Sequence, residues 1–473
     1  MLHTSTFQDQ SEDTLEDLPH EAYFNELITR EFGRVAATGQ TYLDYTGGNL
    51  YALSQLRSHQ NLLENNVFGN PHSTNPSSKL ATQLVEESRQ RVLEFFNADD
   101  YYCVFTPNAS GALQIVGECY PFQDKGFLLL LADNHNSVNG IREYCRNKGG
   151  NFTYCPVQYE DLQIKEEELI AFLKENGDKE NKLFAYPAQS NVSGVKHDLD
   201  WIHRASELGW DVMLDAAAFV PTSKLDLSLV KPDFVSISFY KIFGYPTGLG
   251  CLLIKKSKFN KLKKPWFAGG TVTLASVQSA HHYLAGNHER FENGTINYLD
   301  IPALKIGLDF IEEVQMQRIS ERVQGLTRYL YGALRGICHE SGERVVRIFG
   351  PADRSQTGGT LIMNFFDRNG EPFPFELIEQ RANEQLISIR SGCFCNPGID
   401  EVNNCLTTQE LSNYFSCREE GNYHDMIDFL NKMRGATRVS VGLSTHKEDL
   451  RTFLKFVERL QNVSVEEFAS AAN

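Results

Sequence analysis

Between residues 101 and 254 the chain keeps switching its hydrophobic period, and this limits the fold more than any other feature. Strand-sized apolar runs occur at 101–105, 127–131, 182–186, 211–214 and 234–239. Stretches of helical spacing lie between several of them, as at 161–175 and 199–208. Such alternation predicts an α/β architecture with a mainly parallel sheet. Ligands of these sheets gather beyond the carboxyl ends of the strands, so the residues after each run are the ones to inspect.

A chain of 473 residues suits two joined domains. The expected division is an acidic N-terminal arm (1–30), a large domain (31–300) and a smaller C-terminal α/β domain (301–473). Asp9, Glu12, Asp13, Glu16 and Asp17 mark the arm. Residues 41–48 read as a short strand ending in a glycine turn. Asn75 and Pro76 predict the cap and first position of a helix whose Leu80, Leu84, Val85, Val92, Phe95 and Phe96 face the core. The basic segment 255–264 reads as a solvated connector. Helical spacing returns at 301–311 and 323–334, then βα alternation runs from a strand at 360–365 to a helix at 447–460.

The net charge of −16 argues against a nucleic-acid or anionic-membrane partner. No apolar run has membrane-spanning length, and the start lacks the pattern of a secretion signal, so a cytoplasmic location is expected. In a reducing compartment the ten cysteines are buried small hydrophobes or reactive thiols rather than a disulfide framework.

The strand ends carry the chemistry. After the first run, Thr106-Pro-Asn-Ala-Ser-Gly111 reads as a plain strand-to-helix turn or as an anion turn at a helix start. His135, after the second run, can stack on a ring, act in acid–base work or only hydrogen-bond. Asn191, after the third, can donate to a ligand oxygen or cap a turn. Asp215 ends the fourth, where a carboxylate needs a cationic partner; a pyridinium nitrogen is one. The fifth run delivers Lys241 into a turn punctuated by Gly244, Pro246, Gly248 and Gly250, before a further apolar run at 251–254. Alone, Lys241 reads as a surface lysine on a hairpin. Buried beside the other strand ends, its amine has the low proton affinity that a Schiff-base lysine needs.

These residues, with Ser236-Ile-Ser-Phe-Tyr-Lys-Ile-Phe-Gly244, Asp215-Ala-Ala-Ala-Phe219, Arg390-Ser-Gly-Cys-Phe-Cys-Asn-Pro-Gly398 and Gly435-Ala-Thr-Arg-Val-Ser-Val-Gly442, resemble the class V aminotransferase-fold enzymes. Within that group the chain is most similar to the cysteine desulfurase domain of molybdenum cofactor sulfurases, over roughly residues 30–460. The resemblance implies a fold-type I, pyridoxal 5'-phosphate-dependent transferase acting as a homodimer. It implies that Lys241 bonds the cofactor aldehyde, Asp215 meets the pyridinium and His135 stacks on the ring. Ala109, Ser110 and Ser238 would bind phosphate, Asn191 would sit near the ring hydroxyl, and Tyr240 would lie against the cofactor. Arg438 and Asn49 would bind the substrate, with Arg438 clamping its carboxylate. Thr271 or Thr295 would reach a neighbouring phosphate. Cys395 matches the persulfide-bearing cysteine and Cys393 its companion.

The implied reaction takes sulfur from L-cysteine onto Cys395, releases L-alanine, and passes sulfur to molybdenum cofactor or another acceptor. Ala218 and Tyr240 stand where many desulfurases have Gln and His; both changes fit the sulfurase branch. The C-terminal β-barrel domain of full-length sulfurases is not in this sequence, which leaves the acceptor open. Cys405 and Cys417 could join the loop thiols at a metal, but the spacings match no common zinc pattern, so no metal is expected. One rival reading is another enzyme of the fold, such as a selenocysteine or β-lyase, separated by alanine release from cysteine and selenocysteine. The other is a non-catalytic sulfur carrier, which would purify colourless.

Overall fold

The computed structural model describes residues 18–123, 125–176, 179–432 and 434–470. The first strand, β1 (Thr41–Tyr42), is followed by the helix Pro76–Phe95, whose Asn75 side chain accepts from the Ser78 amide at 3.0 Å. Seven strands then form the large sheet: β2 (Tyr101–Thr106), β3 (Phe127–Leu131), β4 (Asn151–Cys155), β5 (Lys182–Pro187), β6 (Asp211–Asp215), β7 (Phe234–Ser238) and β8 (Gly250–Lys255). Their spatial order is β2-β8-β7-β6-β5-β3-β4. All run parallel except β8, which is antiparallel to both of its neighbours. The interior strands are buried on both faces, which explains their continuous apolar runs.

A separate antiparallel hairpin, β9 (Val272–Ala275) and β10 (His282–Leu284), carries exposed Leu274 and Tyr283. Beyond the helices Ile301–Val314 and Met316–Gly336 lies a second sheet. It contains β11 (Val346–Phe349), β12 (Thr360–Phe365), β14 (Arg390–Gly392) and β15 (Ala436–Ser440) in the order β11-β12-β15-β14, all antiparallel. The remaining strand, β13 (Ile387–Ser388), pairs in parallel with β1.

Three expectations need correction. The expected arm lies outside the described residues up to position 17, but the helix Glu21–Phe32 buries Phe24, Leu27 and Phe32. The break expected near residue 300 is bridged by both strand pairing and helix packing. Strand β1 joins the C-terminal part through β13, and the helix Ile301–Val314 packs on helices of the first part. The basic segment is not free in solvent: Lys258 and Lys261 neutralise the buried carboxyl of Asp211, and Lys258 also reaches Asp233.

Candidate active site

Strands β2, β3, β5, β6 and β7 share one direction, so their carboxyl ends open on one edge. Lys241 lies there, in the helical turn Phe239–Phe243 after β7. Burial pulls its ammonium below the usual lysine range; Asp215 opposes this, while Arg438 and Arg390 add to it. Asp215 ends β6. Its Oδ1 accepts from Ser236 Oγ at 2.9 Å and from the Ala217 amide at 3.1 Å, and among the described residues Oδ2 accepts nothing. His135 caps the turn Asn136–Asn139, with Nδ1 accepting from the Ser137 amide at 3.1 Å, so a neutral ring carries its proton on Nε2. Burial lowers its pKa, Asp215 opposes, and Lys241 and Arg438 lower it further. The three side chains share one electrostatic environment.

Beside them, Asn108 caps the helix Ala109–Cys119, accepting from the Gly111 amide at 3.0 Å. The Ala109 amide donates to Ser238 Oγ at 2.9 Å, and the Ser110 and Ser137 hydroxyls lie 2.6 Å apart. These donors at the start of a helix form a cradle for an anion. A Cβ at Gly250 would stand 2.5 Å from the Ile237 carbonyl and 2.7 Å from the Asn108 backbone, so only glycine lets β8 close against this turn.

The second sheet closes the site from the other side. Arg438 on β15 stands opposite Arg390 on β14, and Asp44 neutralises both. Asp44 Oδ1 accepts from Arg438 Nη2 at 2.8 Å; Oδ2 accepts from Arg390 Nη2 at 2.7 Å and Nε at 3.0 Å. Arg438 Nη1 donates to the Asn191 carbonyl at 2.9 Å, and its buried Nε has no partner among the described residues. Cys395 is exposed in the loop after β14, and its carbonyl accepts from the Asn136 amide at 2.7 Å, next to His135. Cys393 is half-buried, and burial raises its thiol.

Residues 41–453 match the family model described as Aminotransferase class-V. The chain belongs to the class-V aminotransferase family. This class-V aminotransferase-family chain is 38% identical over 465 residues to human molybdenum cofactor sulfurase, covering 91% of the chain and 51% of that protein. For the bovine sulfurase the figures are 37% over 465 residues, 92% and 51%. The chain thus spans about half the length of the curated relatives it matches. A solved cysteine desulfurase from Thermococcus onnurineus NA1 shares the fold, with a TM-score of 0.76 at 22% identity over 92% of this chain and 97% of that one.

Within this class-V aminotransferase-family site, five assigned residues have partners in the protein itself. The Asn191 amide donates to the Phe394 carbonyl at 2.9 Å and accepts from Asn396 Nδ2 at 3.1 Å, so its side chain ties down the cysteine loop with one Nδ2 hydrogen and Oδ1. Asn49 Nδ2 donates to the Ile242 carbonyl at 2.8 Å and Oδ1 accepts from the Leu50 amide at 3.0 Å; it braces the Lys241 turn. Tyr240 lies against Gly48, its carbonyl accepting from the Asn49 amide at 3.3 Å. Burial raises its phenol while Arg390 opposes. Thr271 closes its hydroxyl onto Ala268, both contacts at 2.9 Å, and exposed Thr295 stands beside Asn70.

Three further residues belong to the site, and their type and spacing alone do not reveal it. Gln189 lines the Lys241 cleft together with Thr46, Ala218 and Thr360, and its Oε1 is buried without a partner among the described residues. It stands two positions before Asn191, in the same post-strand segment. Asp44 was visible only as part of a short strand. Asp133 was visible only as the neighbour of His135.

Proposed function

We propose that this chain is a pyridoxal 5'-phosphate-dependent cysteine desulfurase. It moves the sulfur of L-cysteine onto Cys395 as a persulfide and releases L-alanine, and molybdenum cofactor or another acceptor receives the sulfur. The observation that carries this reading is the tie of the exposed Cys395, through its carbonyl, to the Asn136 amide next to His135, whose ring feels the charges of Asp215 and Lys241.

The residues fit the cofactor. The Lys241 amine suits its aldehyde, the unengaged Asp215 Oδ2 its pyridine nitrogen, and the Ser110 and Ser238 turn its phosphate. Bound there, the cofactor acidifies the substrate Cα–H and takes up the electron pair released. Arg438 holds the substrate carboxylate through its unpaired Nε. Lys241 Nζ, kept towards its neutral form by burial, takes the Cα proton and returns it to the product. Cys395 Sγ forms a bond to the substrate sulfur as the Cβ–S bond breaks. The balance is L-cysteine and a Cys395 thiol in, L-alanine and a Cys395 persulfide out.

The test is mass spectrometry after incubation with L-cysteine. One added sulfur on the peptide containing Cys395, with alanine released in equal amount, is expected. Cys395→Ala should lose the added sulfur and keep the colour of the bound cofactor, whereas Lys241→Ala should lose the colour of its lysine linkage. Normal sulfur transfer by Cys395→Ala would overturn the assignment. We further infer a homodimer, supported by the exposed apolar side chains of Trp266, Phe267, Leu274, Val277 and Tyr283 on and around the β9–β10 hairpin. A cytoplasmic location completes the reading; the free thiols fit a reducing compartment. Among the described residues no helix is long and apolar enough to cross a membrane.

A further inference from the structure

We propose that Asp133 and Asn396 form a buried latch that fixes the Cys395 loop against the His135 strand end, presenting the thiol at one place instead of letting it swing. The catalytic consequence rests on the desulfurase reading; the latch itself does not.

Both residues are fully buried. Asn396 Nδ2 points its two hydrogens at Asp133 Oδ1 (2.9 Å), the Asp133 carbonyl (3.2 Å) and Asn191 Oδ1 (3.1 Å). Asp133 is held in turn: Oδ1 accepts from Ser190 Oγ at 2.7 Å, and Oδ2 lies 3.0 Å from His197 Nε2. On the other side of Cys395, the Phe394 carbonyl accepts from Asn191 at 2.9 Å, while the Cys395 carbonyl takes the Asn136 amide. The residues before and after the thiol are therefore tied to the ends of β3 and β5. A Cβ at Gly398 would stand 1.9 Å from the Ala132 carbonyl, so the following helix, Pro397–Asn403, seats directly on the end of β3.

The backbone between these ties is strained. Phe394 and Cys395 both have φ of 56°, a left-handed conformation that costs free energy for side chains with a Cβ. Such a pair persists only where its surroundings over-determine it. A simple helix cap does not account for the arrangement. The cap needs only Asn396 Oδ1, which accepts from the Ile399 amide at 3.4 Å, whereas the Nδ2 donors all point back to the strand ends. Asn396 is a positioning residue.

Asn396→Ser keeps a capping oxygen and removes those donors. Leaving buried acceptors unpaired should open the loop roughly tenfold or more. Expected are roughly tenfold faster hydrogen exchange at 394–396 and faster iodoacetamide labelling of Cys395. The kcat for L-cysteine should fall about tenfold, with KM and the spectrum of bound pyridoxal phosphate unchanged. The exchanged pair Asp133→Asn with Asn396→Asp puts the donor on the other side and should regain part of the protection; if Asn396→Ser does not fold, this pair alone decides. Parent-like exchange and labelling in Asn396→Ser, or an open loop in the exchanged pair, would overturn the latch. A parent protein that forms no persulfide, with exchange still accelerated by Asn396→Ser, would overturn the desulfurase reading and leave the latch standing.

Discussion

Asp44→Asn offers a test of how the two sheets are joined at the site. Arg390 and Arg438 stand directly opposite on β14 and β15, where like charges repel. Asp44 is the carboxylate between them. The Arg438 side chain is 4% exposed and that of Arg390 52%, so the two contacts differ in worth. Removing one partner of a buried pair costs about 3–5 kcal/mol, and an exposed pair adds about 0–1 kcal/mol. The asparagine oxygen still accepts one bond from Arg438, which puts the expected loss near the lower end, about 3 kcal/mol. An unfolding entropy of about 2.1 cal/mol/K per residue gives roughly 1 kcal/mol/K for this chain, so the melting midpoint should fall about 3 °C. Scanning calorimetry measures this. The variant also leaves two guanidinium groups facing each other without an anion, so sulfate should restore part of the loss in Asp44→Asn and much less in the parent. An unchanged midpoint, or a fall that sulfate leaves untouched, would refute the neutralising role.

Capture of pyridoxal phosphate by the cofactor-free protein should speed up as pH rises, because the Lys241 amine loses its proton, and the midpoint should lie below the usual lysine value. Asp215 raises that pKa, so Asp215→Ala should move the midpoint lower still; stopped-flow absorbance reads both. Burial pushes the Asp449 carboxyl up to about 6, above an unfolded value of about 3.9. It therefore stabilises the fold fully below pH ~4 and loses that contribution as pH rises through ~6. Asp449→Asn should then gain up to about 3 kcal/mol at pH 8 and little at pH 4, measured by urea unfolding. Glu292 accepts from Arg89 Nη1 at 2.6 Å and from the Phe105 amide at 2.7 Å, just before the anion turn. Glu292→Gln removes the buried carboxylate of the two that hold Arg89, leaving only the exposed Glu86 at 3.2 Å, and should cost about 3 kcal/mol; it should also weaken cofactor retention, measured by dialysis.

The large sheet was legible because its interior strands are buried on both faces and read as unbroken apolar runs. Strand β4 was not, because it lies at the sheet edge and its Asn-Phe-Thr-Tyr-Cys sequence is largely half-exposed. Residues at strand ends were legible by position alone: Asp215, His135 and Lys241 were singled out there, and the structure brings them into one environment. What the sequence withheld is pairing across distance. Arg438 reads as a free clamp until Asp44, from the other end of the chain, takes Nη2. Asn191 reads only as a ligand donor or turn cap, and its ties to Phe394 and Asn396 show in the fold alone. Lys258 and Lys261 read as solvated until the fold delivers Asp211. In each case the residue type was informative, and its partner was set by topology.

The same pairings give the two loop thiols different conditions. Cys393 is half-buried beside Asp400, and both the loss of water and the nearby carboxyl raise its thiol, which works against attack at neutral pH. Two residues on, the left-handed turn at Phe394 and Cys395 reverses the backbone and leaves Cys395 exposed, with its carbonyl fixed next to His135. A loop free to move would give both thiols similar access and leave thiolate character to choose between them. A fixed loop selects by geometry, and only Cys395 is both accessible and adjacent to the strand ends. The companion position should therefore tolerate Cys393→Ser in persulfide formation far better than Cys395 tolerates the same change, and equal losses in the two variants would show that position does not decide.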